Sequence, residues 1–140
     1  QGGKEMIEKA TKAASEIKSK PHIMIVTILT NLSDADLKDV GNDNTVTEQV
    51  KKMSTLAKKL NVGVICSGLE AKKVREILGP NLPIFTPGVR MSDDNNNDQK
   101  RVCTPSESIK NGANKIIMGR TLIAGNLEEN INKVSSSIKI

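Results

Sequence analysis

Four short apolar runs, each followed by a stretch of helical periodicity, constrain this chain more than any other feature. The first, Ile23-Met24-Ile25-Val26-Thr27-Ile28-Leu29, is rich in β-branched residues and too short for a typical helix. Val62-Gly63-Val64-Ile65-Cys66, Leu82 to Thr86 and Asn114 to Met118 follow. Continuous rather than alternating hydrophobicity is the pattern of a strand covered on both faces, as in a parallel sheet.

The intervening segments read as helices. Residues 3–19 carry Met6, Ile7, Ala10, Ala13, Ala14 and Ile17 at steps of three and four, until Pro21 breaks the pattern. Ser33 and Asp36 suit a short capped turn before Gly41. Thr45 with Glu48 is a capping box, and Val46, Val50, Met53, Ala57 and Leu60 form the stripe behind it. Glu70 to Leu78 turns Ala71, Val74, Ile77 and Leu78 inward and stops at Gly79-Pro80. Thr104-Pro105-Ser106-Glu107 opens a helix that Gly112 ends, with Thr at the N-cap, Pro at the first helical position and Glu at the third. The last helix has Leu127, Ile131, Val134 and Ile138 on one side.

Repeated βα units with buried strands predict an α/β fold, a parallel sheet with helices packed on it. An open doubly wound sheet and a section of a (βα)8 barrel both satisfy the order. A full barrel takes about 250 residues, so a chain of 140 supplies roughly half of one.

Composition narrows the function classes. With 1% aromatic residues, the chain has no platform for stacking bases and no aromatic cage. The net charge of +5 is scattered, and Lys51-Lys52 and Lys58-Lys59 read as a solvated helix face. A nucleic-acid role is therefore disfavoured. Two cysteines, Cys66 and Cys103, make neither a disulfide framework nor a zinc set. That usage fits a reducing, cytoplasmic setting. No apolar run reaches the roughly 20 residues that span a bilayer, and no signal peptide opens the chain. Gln1 in place of Met reads as a start inside a longer coding region.

In either architecture ligands bind at the carboxyl ends of the strands. The segments to weigh are Thr30-Asn31, Ser67-Gly68, Thr86-Pro87-Gly88-Val89-Arg90 and Gly119-Arg120. A Gly directly after a strand lets backbone amides approach an anion, and an adjacent Arg adds a forked cation suited to phosphate oxygens. By spacing alone the pair also fits a plain strand-to-helix turn with a solvated Arg. Arg90 is placed to reach the same anion or to sit on a surface loop. Met91 to Lys100, rich in Asp and Asn, reads as a mobile loop, either a lid over a ligand or simple surface. His22 lies at the opposite end and reads as structural or exposed. Cys66 reads as a small core residue, and Cys103 precedes a helix start without a His or second Cys beside it.

Taken together the post-strand segments are more specific than any one alone. Val26-Thr27-Ile28-Leu29-Thr30-Asn31, Cys66-Ser67-Gly68-Leu69-Glu70, Thr86-Pro87-Gly88-Val89-Arg90, Asp98-Gln99-Lys100-Arg101-Val102-Cys103-Thr104-Pro105 and Gly119-Arg120 occur in that order. The set resembles the carboxyl-terminal part of the bacterial orotidine 5′-phosphate decarboxylase family, over essentially all of residues 1–140. Gln1-Gly2-Gly3-Lys4-Glu5-Met6 resembles the family's segment just after barrel strand four.

The resemblance implies a (βα)8 TIM barrel of which this chain holds strands five to eight, a half barrel. It implies decarboxylation of orotidine 5′-monophosphate to UMP without metal or organic cofactor, in an enzyme that is a homodimer. Carried over position by position, Thr30 helps hold the pyrimidine nucleotide. Arg90, Gln99, Gly119 and Arg120 take the phosphate side, with Gln99 on the closing loop. The family's catalytic Lys and Asp constellation, after strands two and three, has no counterpart in residues 1–140. The chain thus carries no catalytic residue of its own and would act with a missing amino-terminal half. Two rival readings are a non-catalytic remnant that keeps nucleotide affinity, and a related sugar-phosphate decarboxylase.

Overall fold

The computed structural model describes residues 3–94 and 98–138. Each of the four apolar runs contributes a strand, shorter than the run that predicts it: β1 (Met24–Val26), β2 (Gly63–Ile65), β3 (Ile84–Thr86) and β4 (Lys115–Ile116). Helices flank and connect them: α1 (Gly3–Glu16), α2 (Asp34–Asp39), α3 (Val46–Lys59), α4 (Ala71–Leu78), α5 (Pro105–Lys110), α6 (Arg120–Ile123) and α7 (Leu127–Ser137).

The strands form one parallel sheet in the order β1-β2-β3-β4, each paired with its successor. This order decides between the two architectures left open by the sequence. A doubly wound sheet reverses strand order at a switch point. Right-handed crossovers that always step the same way instead keep their helices on one face, which is how a barrel is wound.

The side chains follow. Val64 and Ile84 lie side by side in register and are fully buried under the helices. Val50 and Ala57 from α3 and Ala71, Val74 and Leu78 from α4 pack over them. The next residues along each strand, Val26, Ile65, Phe85 and Lys115, share the other face, and they are half-buried or exposed. Burial on both faces, expected from the apolar runs, therefore holds only in part: Val26 is 47% exposed at the free edge.

Local chemistry sets most of the boundaries. In α3, Thr45 Oγ1 accepts from the Glu48 amide at 3.2 Å while Glu48 Oε2 accepts from the Thr45 amide at 2.8 Å. Thr104 and Glu107 repeat the arrangement at α5, and Ser33 and Asp36 at α2. Gly79, at φ +75°, ends α4. The outer helices are less buried than their periodicity predicts. Met6 and Ile17 in and after α1, and Leu127 and Ile131 in α7, are about half exposed, leaving Ile7, Ala14 and Val134 to make the contact.

At the amino-terminal ends of the strands, Arg75 ties the layers together. Its guanidinium donates to the carbonyls of Gly79, Leu82 and Gly112 and to Asn114 Oδ1, which also accepts from the Ile84 amide. At the other end the packing is tight enough to require a glycine. A Cβ on Gly68 would sit within the van der Waals radius of Cys103 Sγ and 3.0 Å from Ser108 Oγ, whereas one on Gly119 would meet nothing within 4 Å. Gly68→Ala is expected to lower stability by roughly 1–3 kcal/mol through overpacking. Gly119→Ala should leave stability within about 0.5 kcal/mol. Urea denaturation of the two variants beside the parent checks the contrast.

Candidate functional site

The candidate site lies at the carboxyl ends of the strands, and all four strands send residues there. Past Val26 the chain keeps only Thr27 on the sheet, its amide and its hydroxyl both donating to the Ile65 carbonyl at 3.0 and 3.1 Å, and then leaves the ladder. Ile28 turns into the core while the carbonyls of Ile28 and Leu29 face Arg101. This is why the first strand is shorter than its apolar run. Thr30, buried to 7% exposure, follows directly.

Thr30 Oγ1 donates to Gln99 Oε1. The Gln99 amide nitrogen donates to Asp98 Oδ2 at 2.9 Å, and Asp98 Oδ1 pairs with Arg120 Nη1 at 2.5 Å. A continuous polar chain, Thr30–Gln99–Asp98–Arg120, therefore links the end of β1 to the start of α6. Gly88 makes room for it. At φ +70° it adopts a conformation that disfavours other residues, and a Cβ there would lie 3.1 Å from both Gln99 Oε1 and the Thr30 side chain. Gly119 is the N-cap of α6, a short helix that the periodicity of the sequence did not announce.

The chain borders a depression of about 210 Å³ lined by Leu29, Thr30, Asn31, Pro87, Asp98 and Gln99 among others. That is below the range of roughly 300–1,000 Å³ usual for small-molecule sites. A larger groove of about 600 Å³ runs between α1, β1 and α3, but its lining of Met6, Ala10, Met24, Val26 and similar residues brings no charged side chain to it.

Arg90 stands apart. It is 6% exposed, its Nη1 donates to the neighbouring Val89 carbonyl at 2.9 Å, and its buried Nε has no partner. It lines a separate depression with Met91, Ser92, Asp94 and Glu107. Of the five residues singled out by sequence, Thr30, Gln99 and Arg120 are joined through Asp98, Gly119 adjoins them in the chain, and Arg90 points elsewhere.

The segment expected to be a mobile lid is tethered at both of its described ends, and its residues 95–97 lie outside the described part. Asp94 Oδ2 accepts from Thr121 Oγ1 at 2.5 Å and from the Met91 amide at 2.9 Å, and Asp93 pairs with Lys133 at 2.7 Å. On the far side Lys100 Nζ reaches Asp36 at 2.7 Å, which with Ser33 holds that carboxyl well below the usual carboxylate range.

Sequence reasoning missed the residue that anchors the segment. Arg101 donates from its guanidinium to the carbonyls of Ile28 at 3.0 Å, Leu29 at 2.8 Å and Leu32 at 3.1 Å. It also pairs with Glu70, both side chains being nearly covered at 13% and 10% exposure. Its amide donates to the Thr30 carbonyl and its own carbonyl accepts from Ser67 Oγ, each near 3.0 Å. Burial pushes the Glu70 carboxyl up, while Arg101 and the Ser67 amide draw it back. No local pattern signals this cluster, because its partners lie 31 to 73 positions apart.

Among the described residues, no group of three His, Cys, Asp or Glu could hold a metal. No helix among them is long and apolar enough to cross a membrane. His22 is exposed before β1, at the end away from the site. Cys66 and Cys103 are buried free thiols.

A one-way parallel βα sheet with its polar cluster at the strand carboxyl ends defines a barrel-type α/β protein. Within that class the chain belongs to the orotidine 5′-phosphate decarboxylase / HUMPS family, whose model matches residues 1–133. It is 42% identical over 125 residues to the orotidine 5′-phosphate decarboxylase of Trichlorobacter lovleyi, covering 86% of this chain and 52% of that protein. To the enzyme of the same name from Idiomarina loihiensis it is 37% identical over 122 residues, 86% of this chain and 53% of the relative. The crystal structure of the Lactobacillus acidophilus orotidine 5′-phosphate decarboxylase superposes with a TM-score of 0.80 at 28% identity, over 99% of this chain and 60% of that one. The chain thus spans about half the length of the curated relatives it matches.

Two measurements test the energetics of this region. Removing one member of a buried ion pair strands the other, so Arg101→Ala is expected to cost roughly 3 kcal/mol. The half-exposed pair of Arg120 is screened by solvent, and Arg120→Ala should cost far less than Arg101→Ala. Chemical denaturation of both variants gives the ranking.

The second concerns Cys66, whose thiol burial pushes from the ordinary 9.0 up to about 12. The folded chain then holds this proton more tightly than the unfolded chain. Its contribution to stability is complete below about pH 9 and is lost as pH rises toward 12. Alkylation of Cys66, followed by mass spectrometry, should be negligible at pH 8 in native protein and rapid in urea.

Proposed function

We propose that this chain is the carboxyl-terminal portion of an orotidine 5′-phosphate decarboxylase, corresponding to barrel strands five to eight. In this reading residues 1–140 supply the part of the site that grips the nucleotide. The observation that carries it is the polar chain Thr30–Gln99–Asp98–Arg120, which joins post-strand segments far apart in sequence at the rim where barrel enzymes bind ligands.

Each side chain has a role in this reading. Thr30, at the end of β1, holds the pyrimidine nucleotide. The Gln99 amide, the Gly119 backbone and the Arg120 guanidinium surround the phosphate, a planar fork meeting tetrahedral oxygens. Arg90 joins them by swinging from the Val89 carbonyl; its unpartnered Nε supports a partner outside the chain.

Decarboxylation leaves negative charge on the pyrimidine carbon that loses CO2. A preorganised cation must stabilise that charge and a positioned acid must protonate the carbon. Neither group belongs to this portion in our reading; both come from the amino-terminal half of the barrel. What the phosphate grip contributes is remote binding energy, which holds substrate and closing segment in place while the reaction proceeds. The complete enzyme acts on orotidine 5′-monophosphate to give UMP, as a homodimer in the cytoplasm.

The family description joins two groups, which keeps a related sugar-phosphate decarboxylase as the second reading. Competition between UMP and a pentulose phosphate separates them.

The phosphate role is tested with UMP and uridine as paired ligands. In the complete enzyme, Arg120→Ala and Arg90→Ala are expected to weaken UMP binding by roughly tenfold or more each, as loss of a charge-assisted contact implies. Uridine binding should change by less than about twofold. Equal losses for the two ligands, measured by calorimetry, would reject the assignment.

A further inference from the structure

The two groups best suited to take a phosphate are already engaged, and by the same carboxylate. Gln99 Nε2 donates to Asp98 Oδ2 at 2.9 Å, while Arg120 Nη1 lies 2.5 Å from Asp98 Oδ1. One oxygen faces the neutral amide and the other the guanidinium, as two oxygens of an incoming phosphate would. The Gln99 amide oxygen is turned the opposite way, onto Thr30 Oγ1, so its N–H bonds point toward the anion. Gly119, beside Arg120, faces open space. Both partners of the pair are half exposed, Arg120 at 50% and Asp98 at 55%, so the contact is cheap to exchange.

We infer that Asp98 is a specificity-determining residue: its carboxylate occupies the anion position between Gln99 and Arg120, and a ligand enters only by displacing it. The inference rests on the phosphate role proposed above and adds a competitor to it.

The physical consequence is a threshold. A ligand anion exchanges with the aspartate rather than filling a free site, so it must outbid a monoanion already bonded to both donors. A phosphate monoester dianion, with three oxygens and nearly twice the charge, does so. A carboxylate or another monoanion gains little. When the dianion binds, Asp98 must swing away, because two anions at one guanidinium repel. The same carboxylate keeps the Gln99 amide and Arg120 oriented when no ligand is bound, which limits the ordering cost of binding.

Asp98→Asn keeps the shape and a hydrogen-bonding oxygen but removes the charge. The pair is exposed and screened by solvent, so the variant is expected to bind phosphorylated ligands only modestly more tightly, about two- to fivefold. Uridine should not respond. Acetate, a monoanion excluded by the parent chain, should compete measurably with UMP only in the variant. The experiment titrates UMP, uridine and inorganic phosphate, with and without acetate, into the complete enzyme and its Asp98→Asn and Asp98→Ala forms, followed by calorimetry.

Tighter UMP and phosphate binding in both variants, with uridine unchanged, supports the competitor. UMP binding to the parent with equal or weaker binding to both variants overturns this inference and leaves the phosphate site standing. UMP binding no tighter than uridine in the parent and in both variants overturns the phosphate role and, with it, the competitor. Thermal melts of the three forms, expected to coincide within about 2 °C because the pair is exposed, separate a change in affinity from a change in folding.

Discussion

Where the chain leaves the first strand, several carbonyls turn out of the sheet with no ladder partner, and one guanidinium takes them. Arg101 binds the carbonyls of Ile28, Leu29 and Leu32 at once and balances its charge against Glu70, which begins the turn into α4. Buried backbone carbonyls and buried charges are each costly alone. Here they satisfy one another, and the result is a rigid joint between the ends of β1 and β2 and the segment that carries Gln99. The rest of the polar rim depends on it. With Arg101 fixed, its own amide meets the Thr30 carbonyl, and Gln99, two residues earlier, is brought onto the Thr30 hydroxyl.

The molecule uses the same device at both ends of the sheet, for different ends. Arg75, beneath the strands, gathers carbonyls of the turns around α4 and β3 and closes the layer. Arg101, above them, gathers the carbonyls at the strand exits and leaves the adjacent amide and guanidinium, Gln99 and Arg120, facing outward. Structural ties sit beneath and adaptable polar contacts sit on top, which is the division expected of a barrel-type α/β protein. The exposed pair Arg120–Asp98 and the buried pair Arg101–Glu70 are chemically alike. Burial, together with the three backbone carbonyls that Arg101 also holds, makes one a fixed joint and leaves the other a changeable contact.

Much of the framework was legible in the residues. The capping boxes at Thr45 and Thr104 form as their spacing requires, because the bonds involved span only three positions. The four apolar runs mark the strands, but not their ends: Ile28 and Leu29 are apolar enough for a strand and leave it because Arg101 claims their carbonyls. In the site, Thr30, Gly119 and Arg120 were marked by their post-strand positions and by the family resemblance, Gln99 by the resemblance alone, and Thr30, Gln99 and Arg120 join in one polar chain. Arg90 carried the same marks and points into a different depression, since its neighbour's carbonyl captures it. Asp98 and Arg101 lie in a segment that carries the resemblance, but nothing in the spacing gave either a role, because their partners are set by the tertiary fold.

By itself, then, the sequence determined the order of the strands and the longer helices, where the capped helices α2, α3 and α5 begin, the parallel character of the strands and which loops lie at their carboxyl ends. These follow from interactions within a few residues and from hydrophobic period. Tertiary structure alone decided that the strands advance in one direction without reversal, that the first strand stops at Val26, and that one carboxylate stands between Gln99 and Arg120. Those outcomes depend on partners tens of residues apart, where burial and competition for donors set the result and local spacing carries no information.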